Sequence, residues 1–166
     1  MKLKHKIVDN FLPENEFKKI EEMFFSPYFP WYGQHNGVSK NLSKDGIYFT
    51  HLFFLFEKNK FKFSNYYDYM IPIINKLDIK SLIKIKGNLY PKTNVIFEHD
   101  VHVDYNFEHK GFIYYINDNN GFTKLSDGTK INSKKNRGLF FDASKPHNSS
   151  TCSNTNIRLN INFNYF

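Results

Sequence analysis

The ten residues from Asn156 to Tyr165 constrain the fold more than any other stretch. From Asn156 to Tyr165 the chain alternates strictly: Ile157, Leu159, Ile161, Phe163 and Tyr165 form one row, and Arg158, Asn160, Asn162 and Asn164 the other. Successive side chains of a strand point to opposite faces, so this segment is a strand with one apolar and one polar face. Two orientations are open. The Asn/Arg row faces water, or it lines a polar barrel interior while the apolar row meets helices. Arg158 favours the second, because its place beyond His147 gives it a partner. A second strand of this kind starts at Leu82, with Ile83, Ile85, Gly87 and Leu89 on one face and Lys84, Lys86, Asn88 and Tyr90 on the other.

The first half reads differently. Lys6 to Asp9 is a short strand. Pro13 suits a first helical turn, Glu14 and Glu16 suit the positive helix N-terminus, and Phe17, Ile20 and Phe24 recur at helical spacing, predicting a helix to about Phe25. Ser26 to Ser43 is irregular, broken by Pro27, Pro30, Gly33 and Gly37. Its Trp31 and Tyr32 either line a cleft or plug the core. Ile47 to Phe56 is a buried strand in which His51 is a satisfied core histidine. Ser64 caps a second helix striped by Tyr67, Met70, Ile74 and Leu77, and Pro72 kinks or breaks it.

Further strands follow at Val95 to Asp104, Gly111 to Asn117 and Leu139 to Phe141. Ser126-Asp127-Gly128 joins Phe122–Leu125 to Thr129–Asn132 as a hairpin, and Lys134 to Gly138 is another turn. Helices first and antiparallel strands afterwards predict a mainly β (α+β) fold, closed or double-sheeted, with helices packed outside. The expected organisation is one domain, 1–166, with a helical and aromatic portion to about 80 and a β core over about 82–166.

Composition narrows the function classes. The 166 residues suffice for one domain with a sizeable core, and 19% aromatics favour strands around an aromatic interior. The formal charge of +7 would suit nucleic acid or acidic substrates, but the lysines are scattered, as on a solvated surface. Cys152 is the single cysteine, so no internal disulfide forms, as suits a reducing compartment. No apolar run spans a bilayer and the start lacks an apolar signal region; a soluble, cytoplasmic protein without a membrane partner is expected.

The chemistry is carried by Glu98-His99-Asp100-Val101-His102-Val103-Asp104. In an extended segment His102 and Asp104 share a face, and His147, in Ser144-Lys145-Pro146-His147-Asn148, is the best third ligand. Two histidines and one carboxylate on one side of an ion leave the other side open, the facial triad of non-heme Fe(II) oxygenases. His99 has the opposite parity and is expected to point away, which argues against a zinc site built from His99, His102 and His147. In triad chemistry 2-oxoglutarate takes two of the open positions, and its distal carboxylate needs a fixed cation. Arg158, one strand beyond His147, is placed for that.

Four pieces in order then carry a resemblance: Leu89-Tyr90-Pro91, His102-Val103-Asp104, Ile113-Tyr114-Tyr115-Ile116-Asn117, and Pro146-His147 followed by Arg158. From about Lys84 to the C-terminus the chain resembles the Fe(II)/2-oxoglutarate-dependent dioxygenases, most of all their prolyl-hydroxylase branch. Asp9-Asn10-Phe11-Leu12 and Phe29-Pro30-Trp31-Tyr32 also look like small phage-encoded members. The resemblance implies a double-stranded β-helix (jelly-roll, cupin-like). It implies Fe(II) on His102, Asp104 and His147, and 2-oxoglutarate paired through its C5 carboxylate to Arg158 with a hydrogen bond from Tyr115. Tyr90 would face cofactor or substrate, Tyr105 would sit at the mouth, and ascorbate would serve as an auxiliary reductant.

The implied reaction consumes dioxygen: one oxygen atom goes to 2-oxoglutarate, giving succinate and CO2, and the other hydroxylates a C–H bond of a peptide or protein side chain, prolyl included. The chain departs from the pattern in longer spacings from Tyr90 to His102 and from His147 to Arg158. It also has Asn120-Gly121 where a Gly-Gly is usual, and no recognisable substrate-closing loop, which touches proline specificity more than iron chemistry. Two alternatives stand beside this reading: a nucleic-acid-modifying oxygenase of the same family, and a non-catalytic basic β-barrel binding module.

Overall fold

The computed structural model describes residues 5–34 and 47–166, so Gly37 and the rest of the expected irregular stretch to Ser43 lie outside the described residues, as do Met1 to Lys4. Eleven strands are described: β1 (His5–Val8), β2 (Tyr32–Gln34), β3 (Tyr48–Glu57), β4 (Lys60–Phe63), β5 (Leu82–Pro91), β6 (Lys110–Tyr115), β7 (Phe122–Leu125), β8 (Lys130–Asn132), β9 (Arg137–Asp142), β10 (His147–Ser149) and β11 (Ile157–Tyr165). Helix α1 is Glu14–Phe25; a 3-10 turn, Tyr67–Met70, runs into the short helix α2, Ile71–Ile74. All the pairings are antiparallel, in two sheets. The larger has the order β1-β9-β6-β11-β5-β3-β2, with β4 on β3; the smaller is β10-β7-β8. This is the double-sheet, mainly β architecture expected.

Strand β11 is the centre of the larger sheet, paired with β5 on one side and β6 on the other. Its polar row turns inward: Arg158, Asn160, Asn162 and Asn164 are all buried. Its apolar row meets α1, whose Phe17, Ile20, Met23 and Phe24 share one cluster with Leu159, Ile161, Phe163 and Ile85. The second of the two orientations is therefore the one adopted. Gly87 of β5 lets α1 close on the sheet, since a Cβ there would meet Phe24 at 3.1 Å and Phe53 at 3.2 Å.

The predicted strand over Val95 to Asp104 is not formed. The segment is extended, but its backbone ladder is reduced to two isolated bridges, Glu98↔Ser150 and His102↔His147. Between them this segment advances four residues while its partner advances three. The one-residue surplus breaks the ladder as a β-bulge does. The second helix is also shorter than its apolar stripe suggests: Pro72 lies in the first turn of α2, where the chain changes from 3-10 to α winding. Between β3 and β4 the positive φ angles of Lys58 (51°) and Asn59 (58°) make a tight hairpin without glycine. His51 is a core histidine as expected, with its ring nitrogens 2.8 Å from the Pro30 carbonyl and 2.6 Å from Ser64 Oγ.

Asn136 pins the N-terminal segment to the sheet. It sits at φ 55°, its Oδ1 accepts from Leu12 N–H (2.9 Å) and Tyr114 O–H (2.7 Å), and its Nδ2 donates to the Leu12 carbonyl (2.8 Å). Substituting Asn136 by Ala strands three buried polar partners in a left-handed turn. A loss of roughly 2–4 kcal/mol in chemical denaturation is expected. Nearby, Arg137 and Lys134 hydrogen-bond Asp9 and hold its carboxyl far below the usual carboxylate range. Because the folded value is depressed, this contribution is present at neutral pH and is lost as pH falls below about 4. Solvent exposure keeps it within about 1 kcal/mol, and Asp9→Asn should remove that part of the acid sensitivity.

Candidate metal centre

Between the two sheets lies a cavity of about 330 Å³. His102 reaches it from the extended segment, Asp104 from two residues further on, and His147 from the start of β10, directly across the His102↔His147 bridge. His102 Nε2 is 3.9 Å from Asp104 Oδ1, and His147 Nε2 is 3.9 Å from Asp104 Oδ2. The three ligand atoms all lie within 4.8 Å of one another. The spatial expectation for these three residues is met.

The tautomers suit a cation. His102 Nδ1 lies 3.2 Å from the Asp100 carbonyl and His147 Nδ1 lies 2.9 Å from the Lys145 carbonyl. A carbonyl only accepts, so each Nδ1 carries the proton and each Nε2 keeps its lone pair towards the cavity. Burial would raise the Asp104 carboxyl, but His147, Lys84 and the amides of Asn164 and Asn162 outweigh it and hold the group at about 2. Burial holds His147 below its ordinary value despite the neighbouring carboxylate. At neutral pH the cluster is an anionic carboxylate beside a neutral His147, the forms that bind metal.

The carboxylate is aimed by β11. Asn162 Nδ2 and Asn164 Nδ2 both donate to Asp104 Oδ2, at 3.0 and 2.7 Å. Asn164 Nδ2 also lies 3.3 Å from His109 Nε2, and His109 Nδ1 is anchored 2.8 Å from the Phe107 carbonyl. These residues were not singled out in the sequence, although Asn162 and Asn164 share the parity of Arg158 and their inward direction follows from it.

Deeper in the cavity region Arg158 is fully buried. Its Nε donates to Ser133 Oγ (2.9 Å) and its Nη2 to Thr123 Oγ1 (3.4 Å), while Nη1 has no partner among the described residues. The guanidinium lies 5.3 Å from the Tyr90 ring centre and 5.9 Å from that of Tyr115. Tyr115 O–H donates to Thr123 Oγ1 at 2.8 Å, so Tyr115 and Arg158 converge on one hydroxyl. Room for the arginine stem comes from Gly121, where a Cβ would stand 2.5 Å from Arg158 Cδ and 2.7 Å from the Thr151 carbonyl. The single glycine of Asn120-Gly121 thus has a steric reason. Tyr105, expected at the mouth, stacks on Phe107 at 5.2 Å and carries the Lys84 ammonium 4.8 Å over its ring.

His99 departs from its expected direction. The one-residue surplus before His102 resets the parity, and the buried His99 ring packs 5.0 Å from Tyr90 with Nδ1 2.7 Å from Ser149 Oγ. Burial and the nearby Arg158 charge pull it down to about 4, so it is neutral. It is still no member of the ligand cluster.

The same fold recurs among solved structures. The fold is that of the 2-oxoglutarate/Fe(II) oxygenases. A Pseudomonas putida prolyl-4-hydroxylase matches with a TM-score of 0.67 at 11% identity, covering 99% of this chain and 93% of that one. An oxidoreductase of the 2OG-Fe(II) oxygenase family from Burkholderia pseudomallei matches at 0.73 and 8% identity, covering 99% and 85%. A Trichoplax adhaerens prolyl hydroxylase, solved with a hypoxia-inducible-factor peptide fragment, matches at 0.68 and 15%, covering 98% and 83%. No family model and no curated protein matches the sequence.

Replacing Asn164 by Leu leaves Asp104 without its shorter amide contact. Mn(II) affinity, measured by calorimetry, should fall roughly 10- to 100-fold while the fold is retained.

Proposed function

We propose that this chain is an Fe(II)- and 2-oxoglutarate-dependent dioxygenase that hydroxylates a peptide or protein side chain, with proline a candidate target. One observation carries the reading: a buried guanidinium whose Nη1 has no partner among the described residues stands behind a two-histidine, one-carboxylate cluster in the same fold as known oxygenases. A buried cation without a carboxylate is costly, and a dicarboxylate ligand would resolve that cost. In this reading His102, Asp104 and His147 hold the iron. Iron and 2-oxoglutarate together, when bound, would supply the chemistry that activates dioxygen, the oxidant of the reaction.

The protein's share is orientation and exclusion. Arg158 would take the distal carboxylate of 2-oxoglutarate through its Nη1, and Tyr115 would turn its hydroxyl from Thr123 towards the same group. Tyr90 and the neutral His99 wall that end with aromatic surface and no competing charge. Asn162 and Asn164 keep Asp104 from turning away from the metal. A peptide substrate is supported by the Trichoplax structure, which holds one. Ascorbate would act only as a reductant from solution.

A nucleic-acid substrate is the second reading, favoured by the β3–β4 hairpin, where Phe61 and Phe63 are exposed beside Lys60 and Lys62. Salt-dependent binding of single-stranded DNA or RNA, lost on Phe61→Ser/Phe63→Ser, would select it.

The leading reading predicts that Mn(II) and 2-oxoglutarate raise the melting temperature together more than either does alone. His102→Ala should abolish succinate formation. Arg158→Met should keep Mn(II) binding and lose the 2-oxoglutarate increment. Retention of that increment in Arg158→Met would remove the assigned role of Arg158, and wild-type protein that binds neither ligand would sink the oxygenase reading.

A further inference from the structure

The cavity holds more positive charge than the ligand cluster uses. Arg158 is buried at one end, and Lys86 lines the wall beside the cluster. Lys84 lies two residues before Lys86 on the same face of β5 and acts electrostatically on Asp104. Asp104 is the one carboxylate lining the cavity among the described residues. A divalent ion and a dicarboxylate cancel each other, so loading the site would leave this excess in place. The whole chain adds to it with a formal charge of +7.

Lys86 is the member without an assignment. It pairs in register with Asn162, whose amide holds Asp104, so it stands at the level of the cluster. Arg158 pairs instead with Tyr90, four residues along β5, roughly 13 Å away along the strand. The two cations therefore address different groups. Among the described residues Lys86 makes no ion pair and no side-chain hydrogen bond. Burial and Lys84 pull its ammonium down to about 8 against the opposing effect of Asp104, which leaves it largely charged at neutral pH. A partly buried, unpaired ammonium is unfavourable unless an anion completes it.

Two further features say where that anion comes from. Lys86 also lines an outer groove of about 630 Å³ bounded by Tyr32, Thr50 and Ser64, so it joins solvent-facing surface to the cavity. Beside it, Oδ1 of Asn88 and Oδ1 of Asn162 accept from no donor among the described residues. A carboxylate flanked by N–H donors, as in an acidic peptide segment or a free amino acid, satisfies both.

We propose that Lys86 is a specificity-determining residue that receives a carboxylate of the substrate beside the metal centre. This rests on the oxygenase reading. It narrows the peptide substrate to an acidic one, with a free amino acid as the other source of the same carboxylate chemistry.

The test uses the full chain loaded with Mn(II) and N-oxalylglycine, a 2-oxoglutarate isostere, and ligand-observed NMR. One arm compares blocked pentapeptide pools with central glutamate or central glutamine. The other compares free amino acids with their amides. In at least one arm the carboxylate form should bind roughly ten-fold tighter, and that arm identifies the source. Lys86→Met, which keeps the volume, should erase the preference, and Lys86→Arg should preserve much of it; melting curves confirm both variants fold. Three results overturn the assignment while leaving the oxygenase reading intact: no preference in either arm, a preference that survives Lys86→Met, or a loss of N-oxalylglycine affinity in Lys86→Met with the preference unchanged. Wild-type protein that takes up neither Mn(II) nor N-oxalylglycine overturns both.

Discussion

Everything in this molecule depends on satisfying a polar row in the middle of a sheet. Strand β11 carries three asparagines and an arginine into the space between the sheets. Buried amides without partners are costly, so what faces them must be polar and correctly placed. Asp104 answers Asn162 and Asn164, and Asn88 Nδ2 answers Asn160 Oδ1 at 2.9 Å. The Asp104 contacts that make the interior tolerable also fix the direction of the carboxylate. Stability and ligand geometry are here one interaction seen from two sides.

The opposite face of the same strand does the ordinary work of a core. Leu159, Ile161 and Phe163 pack under α1, and a run of aromatic rings links Phe11, Phe112 and Phe140 along the sheet at 4.7 to 6.1 Å between centres. Close ring contacts of this kind need small residues opposite, and Gly138 supplies one: a Cβ there would stand 2.6 Å from Phe112. The helical half is thus a wall that lets one face of the sheet be dry while the other stays polar. Without that wall the amide row would have no reason to turn inward.

Much of this was legible from spelling alone, and the exceptions have physical causes. The alternation in β5 and β11 marked both faces, and Arg158 favoured the inward orientation that the fold adopts. His102 and Asp104 share a face because they are two apart, and His147 could be chosen by its place before the last strand. What alternation cannot reveal is a slip against a distant partner. The surplus residue before His102 depends on the backbone of β10, so a strand was expected where two isolated bridges occur, and His99 was sent the wrong way. The β3–β4 hairpin was missed because its left-handed residues are Lys58 and Asn59, not glycine. Asn136 looked like turn chemistry, whereas its side chain is a clamp on Leu12. Lys86 read as a solvated lysine on a polar face, because only the closed architecture turns that face towards the ligand cluster.

The slip between Glu98 and His102 has one more consequence. Val101 is 65% exposed, so its identity is of little account to the interior. Its mere existence is another matter. An unbroken ladder running on from Glu98↔Ser150 would set Val101 across from His147 and turn the imidazole of His102 to the opposite face. The segment is tolerant of what stands at Val101 and intolerant of losing the slip, so the same three ligands on an unbroken ladder of the same length would not converge.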